Sequence, residues 1–534
     1  MRLLLPLALC LAPSAAASLA CSAEPSSRPS LEAEPTPSLA PGVSRRSDVP
    51  PSAPAAPDEP AAPEPDVAPE TVGAAGAPEL GDAVAPELPL PEAEPEPAPT
   101  PQPEPLLVAS QREVFVYERP SFAARKLGYL RMGARVQRSP EPAGHDGCKR
   151  GFYRIRPEGY VCAGSAARLD ADAALTELGR ARPDRIRALP YVFARARRAT
   201  PPLYVKLPSA AEQASYEPEL AGRASRAAGF RDVESTPLPE FLARGGALPT
   251  PFGHGYAAGT VAPRRALLDT GVALLAVYDH HGRRFGLTSD VLLVPLDRLE
   301  RVVPSEFRGI ALEGVPLPVA FVQRRGAQLY SGDPTTGLTV VRPLAYREAI
   351  PLSGERKRAG GIHYVRARSG EWLRDELLAR VDPETSLPHW AKSGRRWIHV
   401  SIARQALVAY QGETPVYATL VSTGADGAQD PETTRSTVLG EFLIHTKHVS
   451  TPMTGDEVGD EYALEVPYVQ YFSGGYALHA AYWHDAFGTP RSHGCVNLSP
   501  LDARWLFHWT DPAVPQLWHG AFSLLGGTLV SITP

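Results

Sequence analysis

From residue 114 to the end of the chain, apolar and polar positions alternate in short runs, and that period of two predicts strands. Runs at 114–117, 126–130, 134–136, 152–155 and 159–162 lie close together with turn residues between them, the pattern of a small barrel over residues 108–170. Residues 185–315 read less clearly as a β-rich region. Within it, runs at 273–278 and 285–288 flank Asp279-His280-His281-Gly282, which predicts a hairpin turn. Leu329-Tyr330, Thr339-Val340-Val341 and Ile362-His363-Tyr364-Val365 predict a second small β unit over 316–385. The densest pattern closes the chain. Strands at 397–402, 406–410 and 416–422 make a meander around the turn Gln411-Gly412-Glu413, with more strands expected at 440–446, 476–479 and 528–532. One helix is signalled there by Ser499 as N-cap, Pro500 at the first helical position, Asp502 in the first turn and the run 503–509. The expected fold class is mainly β and multidomain, small barrels followed by a β-rich carboxyl-terminal domain at 395–533 with one helix.

Ahead of the strands the texture is different. Residues 22–107 hold 23 of the 58 prolines and no Phe, Tyr or Trp, so this stretch cannot bury a core. At the polyproline rise a linker over 21–107 would reach up to about 260 Å. Its sixteen acidic residues against three arginines give −13, so the rest of the chain, within a total of −5, sums to +8. A mildly basic body suits anionic polymers only weakly, because a surplus of that size is ordinary surface chemistry.

The first twenty residues read as an export signal: Arg2, an apolar run from 3 to 11, then small residues before Cys21. Ser18-Leu19-Ala20-Cys21 resembles a bacterial lipoprotein cleavage box, which implies lipidation of Cys21, attachment to a membrane and a place in the periplasm or cell envelope, with Ser22 pointing to an outer membrane; ordinary cleavage after Ala20 by the general signal peptidase is the alternative. Of the five cysteines, Cys10 lies in the signal and Cys21 at its end. Cys148 and Cys162 flank a predicted hairpin and are expected to pair in an oxidising compartment. Cys495 is left alone, so its neighbours decide whether it is inert or reactive.

Those neighbours are distinctive. Leu478-His479-Ala480 ends a predicted strand, and after fifteen intervening residues Cys495 follows in Ser492-His493-Gly494-Cys495-Val496-Asn497-Leu498, just before the capped helix. A thiol attacks only when deprotonated, and an adjacent imidazole takes the proton. Gly494 lets the backbone turn so that its own N–H and that of Cys495 can meet at an oxyanion. The constellation resembles the L,D-transpeptidase (YkuD) catalytic domain, whose signature is a His followed by Ser/Thr-His-Gly-Cys, a hydrophobic residue and Asn or Arg. The resemblance covers 395–533. It implies Cys495 as nucleophile and His479 as base, oriented by the carbonyl of Ala480, with Ser492, His493, Gly494 and Asn497 shaping the oxyanion pocket and holding the turn. Val438 stands where the family's strand-opening motif has Pro, and Ala480 where Gly or Ser is commoner. The barrel at 108–170 resembles a bacterial SH3-like domain, a fold that holds wall peptides, and 316–385 is a candidate second copy.

The family resemblance implies transfer of an acyl group from a peptidoglycan stem peptide, through a Cys495 thioester, to an amine. A second stem gives a 3→3 cross-link, a protein lysine anchors a protein to the wall, and water makes the enzyme a carboxypeptidase. An inactive wall-binding scaffold is the rival of another class. Zinc on His479, His484, His493 and Cys495 lacks a paired chelating motif, so no metal, no cofactor and no nucleic-acid partner is expected. Asp456, Asp460, Glu461 and Glu465 lie where the family carries a lid and read as solvated charges. His399 falls on the polar face of its strand, and His445, His448, His508 and His519 have no partner visible in sequence.

Overall fold

The computed structural model describes residues 105–534 apart from 198, 219–227, 253–254, 385, 456–461 and 524. The signal 1–20, Cys21, the linker up to 104, and the lid acids Asp456, Asp460 and Glu461 lie outside the described residues.

The fold is mainly β. In the carboxyl-terminal part the predicted meander forms: Arg396–Ser401, Ala406–Gln411 and Thr414–Leu420 pair in antiparallel succession. Leu529–Thr533 then joins Arg396–Ser401 in parallel, and Gly440–Leu443 closes that edge. The opposite edge is taken by Ile310–Ala311 from the middle of the chain. A second set of strands, Thr446–Gly455, Tyr462–Ser473, Tyr476–Ala480 and Val496–Leu498, packs against the first through Ile398, Leu407, Tyr468, Leu478, Val496 and Val530. Each such side chain, fully removed from water, contributes about 1.5–3 kcal/mol. The expected strand at 440–446 is in fact two strands in different sheets. The chain crosses between them at Ile444, which is buried and bonds Thr528, and at His445, whose N–H bonds Tyr471. Helix Pro500–Trp509 forms as its signals require, with Ser499 accepting from the Asp502 N–H. Asp502 does more than favour the helix terminus: it is buried and accepts from Tyr417, Thr419 and the Gly309 N–H.

His399 contradicts its sequence reading. Both faces of its strand are covered, so the imidazole is buried, with Nδ1 3.1 Å from Glu384 and Nε2 2.9 Å from Thr533 Oγ1.

Strands form at Glu113–Tyr117, Lys126–Arg131, Arg135–Gln137, Phe152–Arg154 and Tyr160–Cys162, close to the expected runs, with a further strand at Leu106–Ala109 that the runs did not include, and Cys148 is disulfide-bonded to Cys162. Lys126–Arg131 also pairs with Gly520–Phe522, which in turn pairs with Thr446–Gly455, so one sheet runs from the barrel into the carboxyl-terminal domain. Gly128 and Gly520 make that seam possible, since a Cβ on Gly128 would lie 2.2 Å from the Gly520 carbonyl oxygen. Trp518 fills the end of the barrel core beside Val116 and Leu130.

In the middle segment Gly271–His280 and Arg283–Thr288 make the expected hairpin, extended by Leu293–Pro295 on one side and Val192–Arg195 on the other. Gly271 bonds in parallel to Leu464, which fastens this hairpin to the edge of Tyr462–Ser473. Seven antiparallel strands between Val319 and Val381 form the second small β unit, around Ala320, Val322, Leu329 and Val365.

Candidate active site

The two halves of the His and Cys motif lie side by side because Tyr476–Ala480 and Val496–Leu498 pair in parallel, with His479 opposite Asn497. His479 is buried, and its Nδ1 is 3.2 Å from the Ala480 carbonyl oxygen. That carbonyl takes the Nδ1 proton and leaves Nε2 to accept another. Burial pulls the imidazole down to about 4, against the opposite pull of the Ala480 carbonyl. Cys495 is half-buried and donates to the Gly475 carbonyl oxygen over 3.7 Å. Burial pushes its thiol up to about 11, with a main-chain hydrogen bond at Ala477 working the other way. At neutral pH the cavity that both residues line thus holds a thiol and a neutral imidazole. A neutral imidazole can accept a proton, so the geometry suits removal of the thiol proton as the sulfur attacks, without a standing thiolate.

The turn before Cys495 is held from three sides. Gly494 has φ +129°, and a Cβ there would lie 2.6 Å from the Tyr476 ring. Thr437 Oγ1 donates to the Gly494 carbonyl oxygen at 2.7 Å and accepts the Gly424 N–H at 2.9 Å. Ser492 Oγ donates to the Cys495 carbonyl oxygen and accepts the Gly494 N–H at 3.0 Å. This last bond corrects the sequence reading: the Gly494 N–H is engaged inside the turn and is not a free oxyanion donor. Ser492 ties the turn, and Thr437, which the motif does not include, clamps it. Val438, in place of Pro, packs on the core beside it.

Asn497 is held by a second histidine. Its amide stands 3.0 Å from His484 Nε2, while the Ala486 N–H points at His484 Nδ1 over 3.3 Å. His484 is drawn down to about 4, chiefly by burial and then by Arg491 and His479, so it is neutral at pH 7 and carries one proton. Nδ1 accepts from Ala486, so the proton sits on Nε2, and its acceptor is then Asn497 Oδ1 with the amide turned over. Turned this way, Oδ1 is satisfied, and the NH2 group takes the buried place in which Oδ1 had no partner among the described residues, at the wall of the cavity that Asn497 lines.

That cavity, about 630 Å³, contains Cys495, His479 and Asn497, with Trp483 and Tyr471 on its walls and the exposed His493 at its side. Met453 and Leu464 enter from the hairpin of Thr446–Gly455 and Tyr462–Ser473. Glu465 on that hairpin is not a solvated lid charge; it is buried and accepts from Ser450 Oγ at 2.5 Å. Arg195 and Asp269 also line the cavity and belong to the middle segment, far outside the motif. No sequence pattern marks them. Other histidines likewise have partners: His448 meets Tyr129, His519 the Ser450 carbonyl and His508 the Arg185 carbonyl, all distant in sequence, and His445 the adjacent Thr446. Among the described residues no group of three or more His, Cys, Asp or Glu is placed to hold a metal.

A thiol and a single-tautomer imidazole in one cleft of a β-rich domain are the groups that acyl transfer needs. Residues 395–532 match YkuD, the L,D-transpeptidase catalytic domain, so the chain carries an enzyme domain of that family. Solved structures similar in part include the L,D-transpeptidase of Xylanimonas cellulosilytica, 23% identical over 26% of this chain and 60% of its own, with TM-score 0.19. A mutant L,D-transpeptidase of Enterococcus faecium is 21% identical over 26% of this chain and 49% of its own, with TM-score 0.20. L,D-transpeptidase 3 of Mycobacterium tuberculosis, in complex with a faropenem-derived adduct, is 18% identical over 34% of this chain and 79% of its own, with TM-score 0.21. The chain thus spans 60% and 49% of the length of the first two. No curated protein matches it.

Proposed function

We propose that the chain is an exported cysteine transpeptidase that takes an acyl group from a peptidoglycan stem peptide onto Cys495 and passes it to an amine. What supports this reading above all is the placing of Cys495 and His479 in one cavity within the family domain. As Cys495 Sγ attacks the scissile carbonyl, its proton passes to His479 Nε2, and the carbonyl oxygen gains charge. His479 then returns the proton to the departing amine, leaving a thioester. An acceptor amine reverses the sequence: its nitrogen bonds the carbonyl carbon, the C–S bond breaks, and one N–H proton moves through His479 to the sulfur. Anchoring through a lipid on Cys21 and a place in the periplasm belong to the same reading, as do wall contacts by the SH3-like unit expected at 108–170 and its candidate second copy at 316–385.

Intact-mass spectrometry of residues 108–534 with a carbapenem tests it. One adduct is expected on the wild type, none on Cys495→Ala, and slowed formation on His479→Ala. The adduct rate should rise as pH increases through about 4, where His479 loses its proton, and then level off. A folded wild type that takes no adduct would shift the function to wall binding without turnover.

A further inference from the structure

Part of the wall of the cavity is supplied by residues outside the family domain. Arg195 ends Val192–Arg195, and Asp269 sits on the turn leading into Gly271–His280. The two strands are paired, Gly271 against Arg195, and the Asp269 N–H bonds the Ala196 carbonyl, so both side chains are set by the backbone. Asp269 adopts φ +61°, a left-handed conformation that Asp tolerates better than most residues and that turns the chain at this point. Arg195 Nη2 meets Asp269 Oδ1 at 2.9 Å, and Arg197 stands 3.7 Å from the same oxygen. Arg195 Nε is buried without a partner among the described residues, although the fork of a guanidinium is normally filled by an acceptor. The Arg195 side chain is 15% exposed and that of Asp269 48%. The segment is itself fixed to the cleft: Phe193 packs on Tyr482 with centroids 4.9 Å apart, and Tyr482 Oη donates to the Glu465 carbonyl oxygen.

We propose that Arg195 and Asp269 form a subsite for an α-amino-acid head group, an ammonium and a carboxylate on one carbon, carried by a stem peptide. The guanidinium takes the carboxylate through its fork, and the Asp269 carboxylate takes the ammonium. This rests on the transpeptidase reading and sharpens it, because a protein lysine side chain has the amine without the carboxylate and would leave Arg195 unmatched. The head group has two sources, the incoming acceptor or the side chain of the acyl donor.

The test uses the full mature chain, a donor tetrapeptide and two small acceptors, D-methionine and its decarboxylated counterpart 3-(methylthio)propylamine, with products resolved by mass. The readout is the ratio of transfer to the two acceptors within each variant, so a general loss of activity cancels. The wild type should prefer D-methionine, and Arg195→Gln should lower that ratio at least tenfold. Arg195→Lys, which keeps the charge but not the fork, should fall between them and serves if Arg195→Gln does not fold. Asp269→Asn, which retains a residue tolerant of the left-handed turn, should also lower transfer to D-methionine relative to hydrolysis. A parallel pair of donors, with the third residue ending in an amine or in an α-amino acid, locates the source: dependence on Arg195 that appears only in acylation places the head group on the donor. An unchanged acceptor ratio together with unchanged donor preference overturns the subsite while leaving the transpeptidase intact. A wild type that never acylates overturns both readings together.

Discussion

The middle segment and the carboxyl-terminal domain both bury charge, and they do so in opposite ways. In the middle segment Arg283 lies between Glu217 and Asp297, each 2.9 Å away, with Tyr204 and Arg298 also bonded to Glu217. In the carboxyl-terminal domain Lys447 is fully buried, and its N–H groups go to the Phe507 carbonyl, the Thr510 carbonyl and Thr510 Oγ1 at the end of helix Pro500–Trp509. The first arrangement is a closed ionic cluster that contains no reacting group and braces a wall. The second caps the helix that follows the catalytic strand, in a domain where the buried Thr437, Ser492 and Asp502 fasten the turn or the helix next to Cys495. Buried polarity in one region holds a scaffold, and in the other it sets the position of the chemistry.

The largest effect that would break this comparison is loss of the cluster. Glu217→Gln leaves Arg283 short of a charge partner in a buried site, and removal of one member of such a pair costs about 3–5 kcal/mol. Burial alone would raise the Glu217 carboxyl, but hydrogen bonds and charge from Arg283, with help from Tyr204 and Arg298, hold it below its ordinary value. The cluster's contribution is therefore complete above the unfolded carboxyl value near 4.5 and is lost as pH falls through the lower folded value. Chemical denaturation between pH 3 and 7 should show this acid loss in the wild type and a flatter profile in Glu217→Gln. Equal acid sensitivity in both would mean that the cluster does not brace the segment.

How readily each region could be read from sequence follows the same division. Trp397, Ile398 and Val400, and Ser499 with Pro500, carry local signals, an alternating stripe and a cap, and the structure places their elements within a residue of expectation. His479 and Cys495 were legible because a motif names them. Arg195 and Asp269 were not, since they are 74 residues apart and reach the cleft only through strand pairing. The helix Ala210–Tyr216 was legible but passed over: Ser209 and Glu212 form a capping box in the plain Ser-x-x-Glu pattern. His399 misled because alternation predicts an exposed face only where one side of the sheet meets water, and here both sides are covered.

A smaller effect separates the two buried cations. Burial draws Lys447 down to about 7, with Asp511 opposing, whereas Arg283 is held up by its carboxylates despite burial. A folded lysine that loses its proton near 7 binds fewer protons than the unfolded chain between there and 10.5, so stability rises with pH across that window. The slope should approach about 1.4 kcal/mol per pH unit for this one group. Denaturation from pH 7 to 9.5 in wild type and Lys447→Met measures the difference, and a wild-type slope no steeper than the variant's would show that Lys447 keeps its proton throughout.

The smallest effect tests whether polarity in the carboxyl-terminal domain reaches the reaction itself. His484 touches no reacting atom in the arrangement derived above; it is a positioning residue that turns the Asn497 amide. His484→Gln can still offer an N–H to Asn497 Oδ1, whereas His484→Ala cannot, so carbapenem acylation should fall about tenfold in the alanine variant, the worth of roughly one hydrogen bond, and be partly restored by glutamine. A rate alone would not separate positioning from damage to the loop, but pH does. Protonation of His484 puts N–H groups on both ring nitrogens and sets one against the Ala486 N–H, so the wild type loses activity through two groups, His479 and His484, both drawn down to about 4. The acid limb of the log rate profile should approach a slope of about two in the wild type and about one in His484→Gln, because only His479 is left to titrate. A slope of one in both would mean that the Asn497 amide does not depend on the proton of His484 and that its orientation is set by the paired strands alone.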